Sequence, residues 1–198
     1  MPSLLDFAFR PIRQVVLWGA NYLGNPARVA VDDSGNFRFL SQVHAEGHAA
    51  NLFLAMHTFD AIASTASVYL ELTTGATKEV HAAFGVSGSA GGHLYLYEAP
   101  TTTTGTNTVT IFNIKRTSSN TPEPTCVHTP TGISGGTLLP WGGVVPGGAD
   151  KTASGGQMGN LGRSEELILK PSTKYLLQWT NDAAQAEDAT LFIGFYEL

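Results

Sequence analysis

The chain has 198 residues, 42% of them hydrophobic and only 14% charged, against about 25% charged in an ordinary soluble domain. Its formal net charge is −5 with no basic tail or lysine–arginine stripe, which argues against recognition of nucleic-acid phosphates. No window supplies the roughly 20 continuous apolar residues of a membrane-spanning helix, and a single cysteine, Cys126, excludes an internal disulfide.

In chain order, the first stretch is also the most unusual. Leu4, Leu5, Phe7 and Phe9 are followed by Val15, Val16, Leu17, Trp18 and Tyr22, with neither a helical nor a strand period. Arg10, Pro11 and Arg13 interrupt the run before it reaches the roughly 7–15 apolar residues of a signal-peptide core. Synthesis in a reducing cytoplasm is therefore expected. Fully burying one such side chain contributes about 1.5–3 kcal/mol, less an ordering cost of about 1–2 kcal/mol per residue. Residues 1–27 are read as an anchoring arm in which those nine side chains bind partner subunits, and residues 28–198 as a β-sandwich domain.

Beyond the arm the dominant signal is period-two alternation. In "SVYLELTT" Val68, Leu70 and Leu72 share one face, with Ser67, Tyr69, Glu71 and Thr73 on the other. "TKYLLQWTN" sets Tyr175, Leu177 and Trp179 against Lys174, Gln178 and Thr180, and "EELILK" sets Leu167 and Leu169 against Glu166 and Lys170. "DDSGN" at 32–36 is a hairpin signal, "SGSAGG" a second turn and "KPSTK" a third. Strands are expected near 28–32, 36–43, 50–58, 66–73, 78–86, 92–98, 107–114, 136–140, 164–170, 173–180 and 189–197. The stretch 142–163, rich in Gly, Ser and Asn, reads as a long surface loop. No helix of ten or more residues is expected. The fold class is all-β, an antiparallel two-sheet sandwich of jelly-roll type by strand number, with an extended N-terminal arm.

Catalytic and metal-binding patterns are sparse. Were "HAEGH" extended, His44, Glu46 and His48 would share a face as three ligands for Zn²⁺ or Fe²⁺. No fourth ligand accompanies them, and a polar strand end broken by Gly47 is the preferred reading. Cys126 and His128 read as a buried thiol beside a surface histidine, and His57, His81 and His93 as isolated strand-surface residues. Glu165 and Glu166, as strand neighbours, point to opposite faces. No Gly-rich segment ends in the Gly-Lys-Ser/Thr of a phosphate loop. No catalytic residue, cofactor or metal ligand is expected.

The aromatic residues point elsewhere. Tyr95 and Tyr97 share a face with His93. In the last strand Phe192 and Tyr196 oppose Ile193 and Phe195, so that strand is either central in its sheet or covered by another subunit.

The second half carries an ordered series of phrases: "LYEAPT", Gly105-Thr106, "FNIKRTSSNT", "HTPT", "GGTLL", "EELILKPSTKYLLQWTN" and "FYE". Over about residues 44–198 this resembles a family of tailed-bacteriophage virion proteins, small jelly-roll subunits found as capsid decoration or cement proteins. The matching residues are Tyr97-Glu98, Asn113 with Arg116, Leu169-Lys170-Pro171, Tyr175-Leu176-Leu177, Asn181 and Tyr196-Glu197. Lys115 stands where the pattern would have Asn or a similar polar residue, and residues 1–43 fall outside it. The resemblance implies a structural virion protein, and the apolar arm makes the virion capsid surface its expected place. It would bind the major capsid protein and itself form a homo-oligomer, with a trimer the expected form. It implies no cofactor and no catalysis, and charge and hydropathy leave neither nucleic acid nor membrane as an expected partner. The alternative is a tail or fibre module that binds host surface glycans through an aromatic face and the 142–163 loop. An enzyme of cupin type using His44, Glu46 and His48 is a distant third.

Overall fold

The computed structural model describes residues 18–20, 26–28, 42–103, 107–147, 156–158 and 166–198. The chain divides into two units, residues 1–41 and 42–198. In the first, β1 (Trp18–Ala20) pairs antiparallel with β2 (Pro26–Arg28), which closes at the first residue of the strand expected over 28–32. The rest of that strand, the 32–36 turn and the expected strand up to residue 41 lie outside the described residues.

The second unit opens with a helix, α1 (Gln42–Ala49), where an extended segment was expected. Gln, Ala and Glu favour helix, but eight residues are too few for a period to show. Ala50 takes the left-handed conformation at φ 67°, and the Asn51 amide donates to the Glu46 carbonyl at 2.9 Å, which closes the last turn.

The remaining strands are β3 (Leu52–Ile62), β4 (Ser67–Thr73), β5 (Val80–Gly88), β6 (Gly92–Glu98), β7 (Thr101–Thr103), β8 (Ile111–Asn113), β9 (Thr125–His128) and β10 (Thr131–Ser134). They continue with β11 (Thr137–Val145), β12 (Gly156–Met158), β13 (Leu167–Leu169), β14 (Lys174–Asn181) and β15 (Glu187–Glu197). One sheet has the order β11-β6-β14-β4-β9. The other has the order β12-β5-β15-β3-β8, with β13 also on β5, and β7 and β10 form a separate ribbon. Every pairing among the described residues is antiparallel.

The two large sheets pack as a sandwich around one core. Alternation supplies it: Tyr175, Leu177 and Trp179 from β14 and Leu70 and Leu72 from β4 come from one sheet. Phe53 and Ala55 from β3, Phe84 and Val86 from β5, and Leu191, Ile193 and Phe195 from β15 come from the other. Phe53 and Phe195 stack with centroids 5.4 Å apart. β15 is central in its sheet, between β3 and β5, which accounts for its inner face of Leu191, Ile193 and Phe195 but leaves Phe192 on the outer face.

The structure corrects several expected boundaries. β7, β9 and β10 were not expected, because Thr-rich segments of three or four residues show no alternation. The strand expected over 107–114 reduces to β8 and an isolated bridge from Thr108 to Val127. β11 runs on to Val145 rather than stopping at 140. There the register shifts between Leu138 and Gly142, at a bulge that contains Pro140. Gly142 sits at φ 113°, and a Cβ on it would lie 2.4 Å from the Leu94 carbonyl oxygen. Only glycine fits so close to β6. The expected loop 142–163 thus begins inside β11 and contains β12.

Candidate functional site

The "HAEGH" segment is helical, and this overturns the three-ligand arrangement. At i and i+4, His44 and His48 meet, their Nε2 atoms 2.9 Å apart with one donating to the other. Glu46 instead accepts from the Asn51 side-chain amide at 2.9 Å. Among the described residues no group of three or more His, Cys, Asp or Glu side chains could hold a metal ion.

The residues that carried the resemblance turn out to be polar clasps of the fold. Tyr175 Oη donates to Glu98 Oε2 at 2.9 Å and accepts the Lys170 backbone amide at 2.8 Å. Lys170 Nζ closes the triangle on Glu98 Oε1 at 2.6 Å. The hydrogen bond from Lys170, reinforced by that from Tyr175, holds the Glu98 carboxyl below its ordinary range, while burial pushes the Tyr175 phenol up to about 12. Asn113 and Asn120 both donate their side-chain amides to the Ala50 carbonyl, at 2.8 and 2.9 Å, and so fasten the end of α1. Lys115 Nζ reaches the His48 carbonyl beside them at 2.9 Å. Arg116 lies over the Phe112 ring, 5.3 Å from its centroid. Glu197 accepts from Lys78 Nζ at 2.9 Å and from the Glu123 amide at 2.8 Å.

Two outer-face groups differ from the alternation reading. Glu71 belongs to the polar side of β4, yet it is only 1% exposed. Thr102 on β7 donates to its Oε2 at 2.5 Å, and Lys174 Nζ lies 3.4 Å from Oε1. A buried carboxylate needs such partners. His81, expected as a lone surface residue, is 9% exposed in a polar knot. Its Nδ1 faces Glu166 Oε1 at 2.5 Å and its Nε2 faces Glu79 Oε1 at 2.7 Å. Tyr196, its register partner on β15, stacks on the ring at 4.8 Å and donates to Glu166 at 2.6 Å. Glu165, its neighbour in sequence, lies outside the described residues.

Next to this knot, the outer face of the six-stranded sheet is apolar. Leu54, Met56, Phe112, Ile114 and Phe192 stand on it around the small residues Ala83 and Gly194. These leave a depression of about 60 Å³, lined by Leu52, Leu54, Ile114 and Tyr196 among others. Ligand and cofactor sites usually run to about 300–1,000 Å³, so this depression is too small for one. Of the seven large hydrophobic side chains exposed among the described residues, Met56, Phe112, Ile114 and Ile168 lie on this one face.

Cys126 is buried in the core, and burial, with Glu71 adding to it, pushes its thiol up to about 12. His128 stacks on His57 instead of pairing with Cys126. His93 hydrogen-bonds Asp182. Leu4, Leu5, Phe7, Phe9, Val15, Val16, Leu17 and Tyr22 lie outside the described residues, and Trp18 is described only as backbone of β1. The sequence does not show the pairings of His57, His81 and His93 with His128, Glu166 and Asp182, because these partners stand far along the chain.

These features define a β-sandwich whose sheets present two different outer surfaces, one apolar and one aromatic and polar. Among the described residues no helix is long and apolar enough to cross a membrane. Comparison with known proteins gives no match to a family model, a curated protein or a solved structure.

Proposed function

We propose that the chain is a structural virion protein that decorates and cements a bacteriophage capsid. Its N-terminal arm binds major capsid subunits on the outer shell, and its sandwich forms a homo-oligomer, a trimer in the form the sequence resemblance implies. The observation that carries this reading is the apolar outer face bearing Leu54, Met56, Phe112, Ile114 and Phe192. A solvated antiparallel sheet alternates apolar inward and polar outward, whereas an apolar patch on the outside marks an interaction surface. The strand order supports the jelly-roll reading. β14 inserts between β4 and β6, and β15 between β3 and β5, the wrapping that a jelly roll produces.

Cementing works by adding buried area that must be lost when pressure separates the subunits. Deletion of residues 1–27 is the direct test, read as binding of purified protein to emptied shells. The truncated chain is expected to keep its cooperative melt and to lose shell binding. Saturation of shells with unchanged affinity would overturn the arm assignment. Met56→Lys and Phe112→Lys test the oligomer by sedimentation, with a shift to monomer expected. Copy number per particle separates the shell reading, at hundreds of copies, from the alternative of a tail or fibre module, at a handful.

A further inference from the structure

The outer face of the five-stranded sheet has a different chemistry. Tyr95 on β6, Gln178 on β14 and Tyr69 on β4 stand in register, so an amide lies between two phenol rings across three strands. One row along come His93, Thr180 and Ser67. Gln178 Nε2 donates to Ser67 Oγ at 3.1 Å and to Thr180 Oγ1 at 3.2 Å, and those hydroxyls bond each other at 2.8 Å. Both amide protons are engaged on that side, so the amide is held in one orientation and its Oε1 accepts no hydrogen bond among the described residues.

The platform continues past His93. The His93 and Tyr95 rings are parallel within 6°, with centroids 6.0 Å apart. His93 Nδ1 is hydrogen-bonded to Asp182, and this carboxylate lines a cleft of about 490 Å³ together with Gly92 and Val144. That volume is in the range of small-ligand sites. The rows carry no lysine or arginine, and their one carboxylate is Asp182.

A hexose ring matches this surface. Its C–H face carries slight positive charge and packs on the negative face of an aromatic ring, while its rim of hydroxyls needs fixed hydrogen-bond acceptors. The absence of cations on the rows disfavours sialic or uronic acids, which carry negative charge. We propose that this face binds an uncharged hexose oligosaccharide. It runs from Tyr69 past Tyr95 to His93, with Gln178 Oε1 accepting from a sugar hydroxyl and Asp182 accepting from the residue that enters the cleft. The inference holds for a subunit on head or tail and does not depend on the arm.

The test uses the full chain and three neutral hexasaccharide probes, of glucose, of mannose and of galactose, each titrated separately by ligand-observed NMR up to millimolar concentration. Saturable binding of at least one is expected, weakened about tenfold or more by Tyr95→Ala and by Gln178→Ala, with the melting transition retained. Ser67→Ala, which releases one tether of the Gln178 amide, should weaken binding less. Should Tyr95→Ala fail to fold, Gln178→Ala carries the test, since its half-buried side chain lies outside the core. No saturable binding by any probe overturns the proposal, as does binding that both variants leave unchanged. A Tyr95→Ala chain that loses self-association instead of sugar binding shows that the face is a protein interface. Shell binding is measured on the same variants and is expected to be unaffected.

Discussion

His57 in β3 and His128 in β9 stack face to face across the sandwich, ring centroids 3.7 Å apart and planes 8° from parallel. Phe59 meets both rings edge-on. The pair therefore joins an edge strand of one sheet to the second strand of the other.

This pair makes stability depend on pH. Burial, and then the neighbouring His128, hold the His57 imidazole below its ordinary 6.5, with Asp60 opposing weakly. Above 6.5 the ring is neutral whether folded or unfolded, so its stabilisation is complete there. As pH falls from 6.5 through the lower folded value, the unfolded chain binds the extra proton first and stability is lost. The urea midpoint should drop across this window, and His57→Asn should flatten the slope relative to the parent chain. Equal slopes in both would show that His57 does not titrate as described.

Asn181 is fully buried and acts as a clasp. Its Nδ2 donates to the carbonyls of Ile62 at 2.8 Å and Gln185 at 2.9 Å, and its Oδ1 accepts the Ala183 amide at 2.8 Å. Asn181→Ala strands these groups without water and should cost about 3 kcal/mol, read as a lowered denaturation midpoint with unchanged slope. Asn181→Asp keeps the acceptor but loses the donor, and should cost a comparable amount.

Cys126 is 1% exposed and its thiol is pushed up to about 12. The folded chain should resist a thiol reagent such as dithionitrobenzoate at pH 8, and should react with one equivalent once denatured. Rapid labelling of the native chain would show that β9 opens.

Two glycines should respond in opposite directions. A Cβ on Gly92 would lie 2.3 Å from the Thr180 carbonyl oxygen and 2.6 Å from Trp179 Nε1, inside the β6–β14 ladder. Gly92→Ala should therefore cost about 3 kcal/mol. A Cβ on Gly47 in α1 meets nothing nearer than Leu52 Cδ2 at 3.6 Å. Gly47→Ala should raise stability by about 0.5–1 kcal/mol, because alanine loses less backbone entropy in a helix. Thermal melts of the two variants check both signs.

Legibility in the sequence followed the length of the pattern. β4, β6 and β14 were expected within one or two residues, because seven or eight alternating positions carry a clear period. β7, β9 and β10 are too short for any period, and the eight residues of α1, of mixed preference, fit either conformation. The aromatic face with His93, Tyr95 and Tyr97 was legible as a face, since i and i+2 share a side. That Gln178 stands between Tyr95 and Tyr69 was not, for it depends on β14 lying between β6 and β4.

From the sequence alone came the longer strands, their apolar inner sides, the low charge and the lone thiol. Each is a property of a residue or of its near neighbours, and side-chain alternation along a strand is local geometry. Only the tertiary structure decided that Glu98 would meet Tyr175, that His81 would sit between two carboxylates, and that one sheet would keep an apolar exterior. Those outcomes depend on strand order and register, which emerge when segments far apart in the chain compete to share one core.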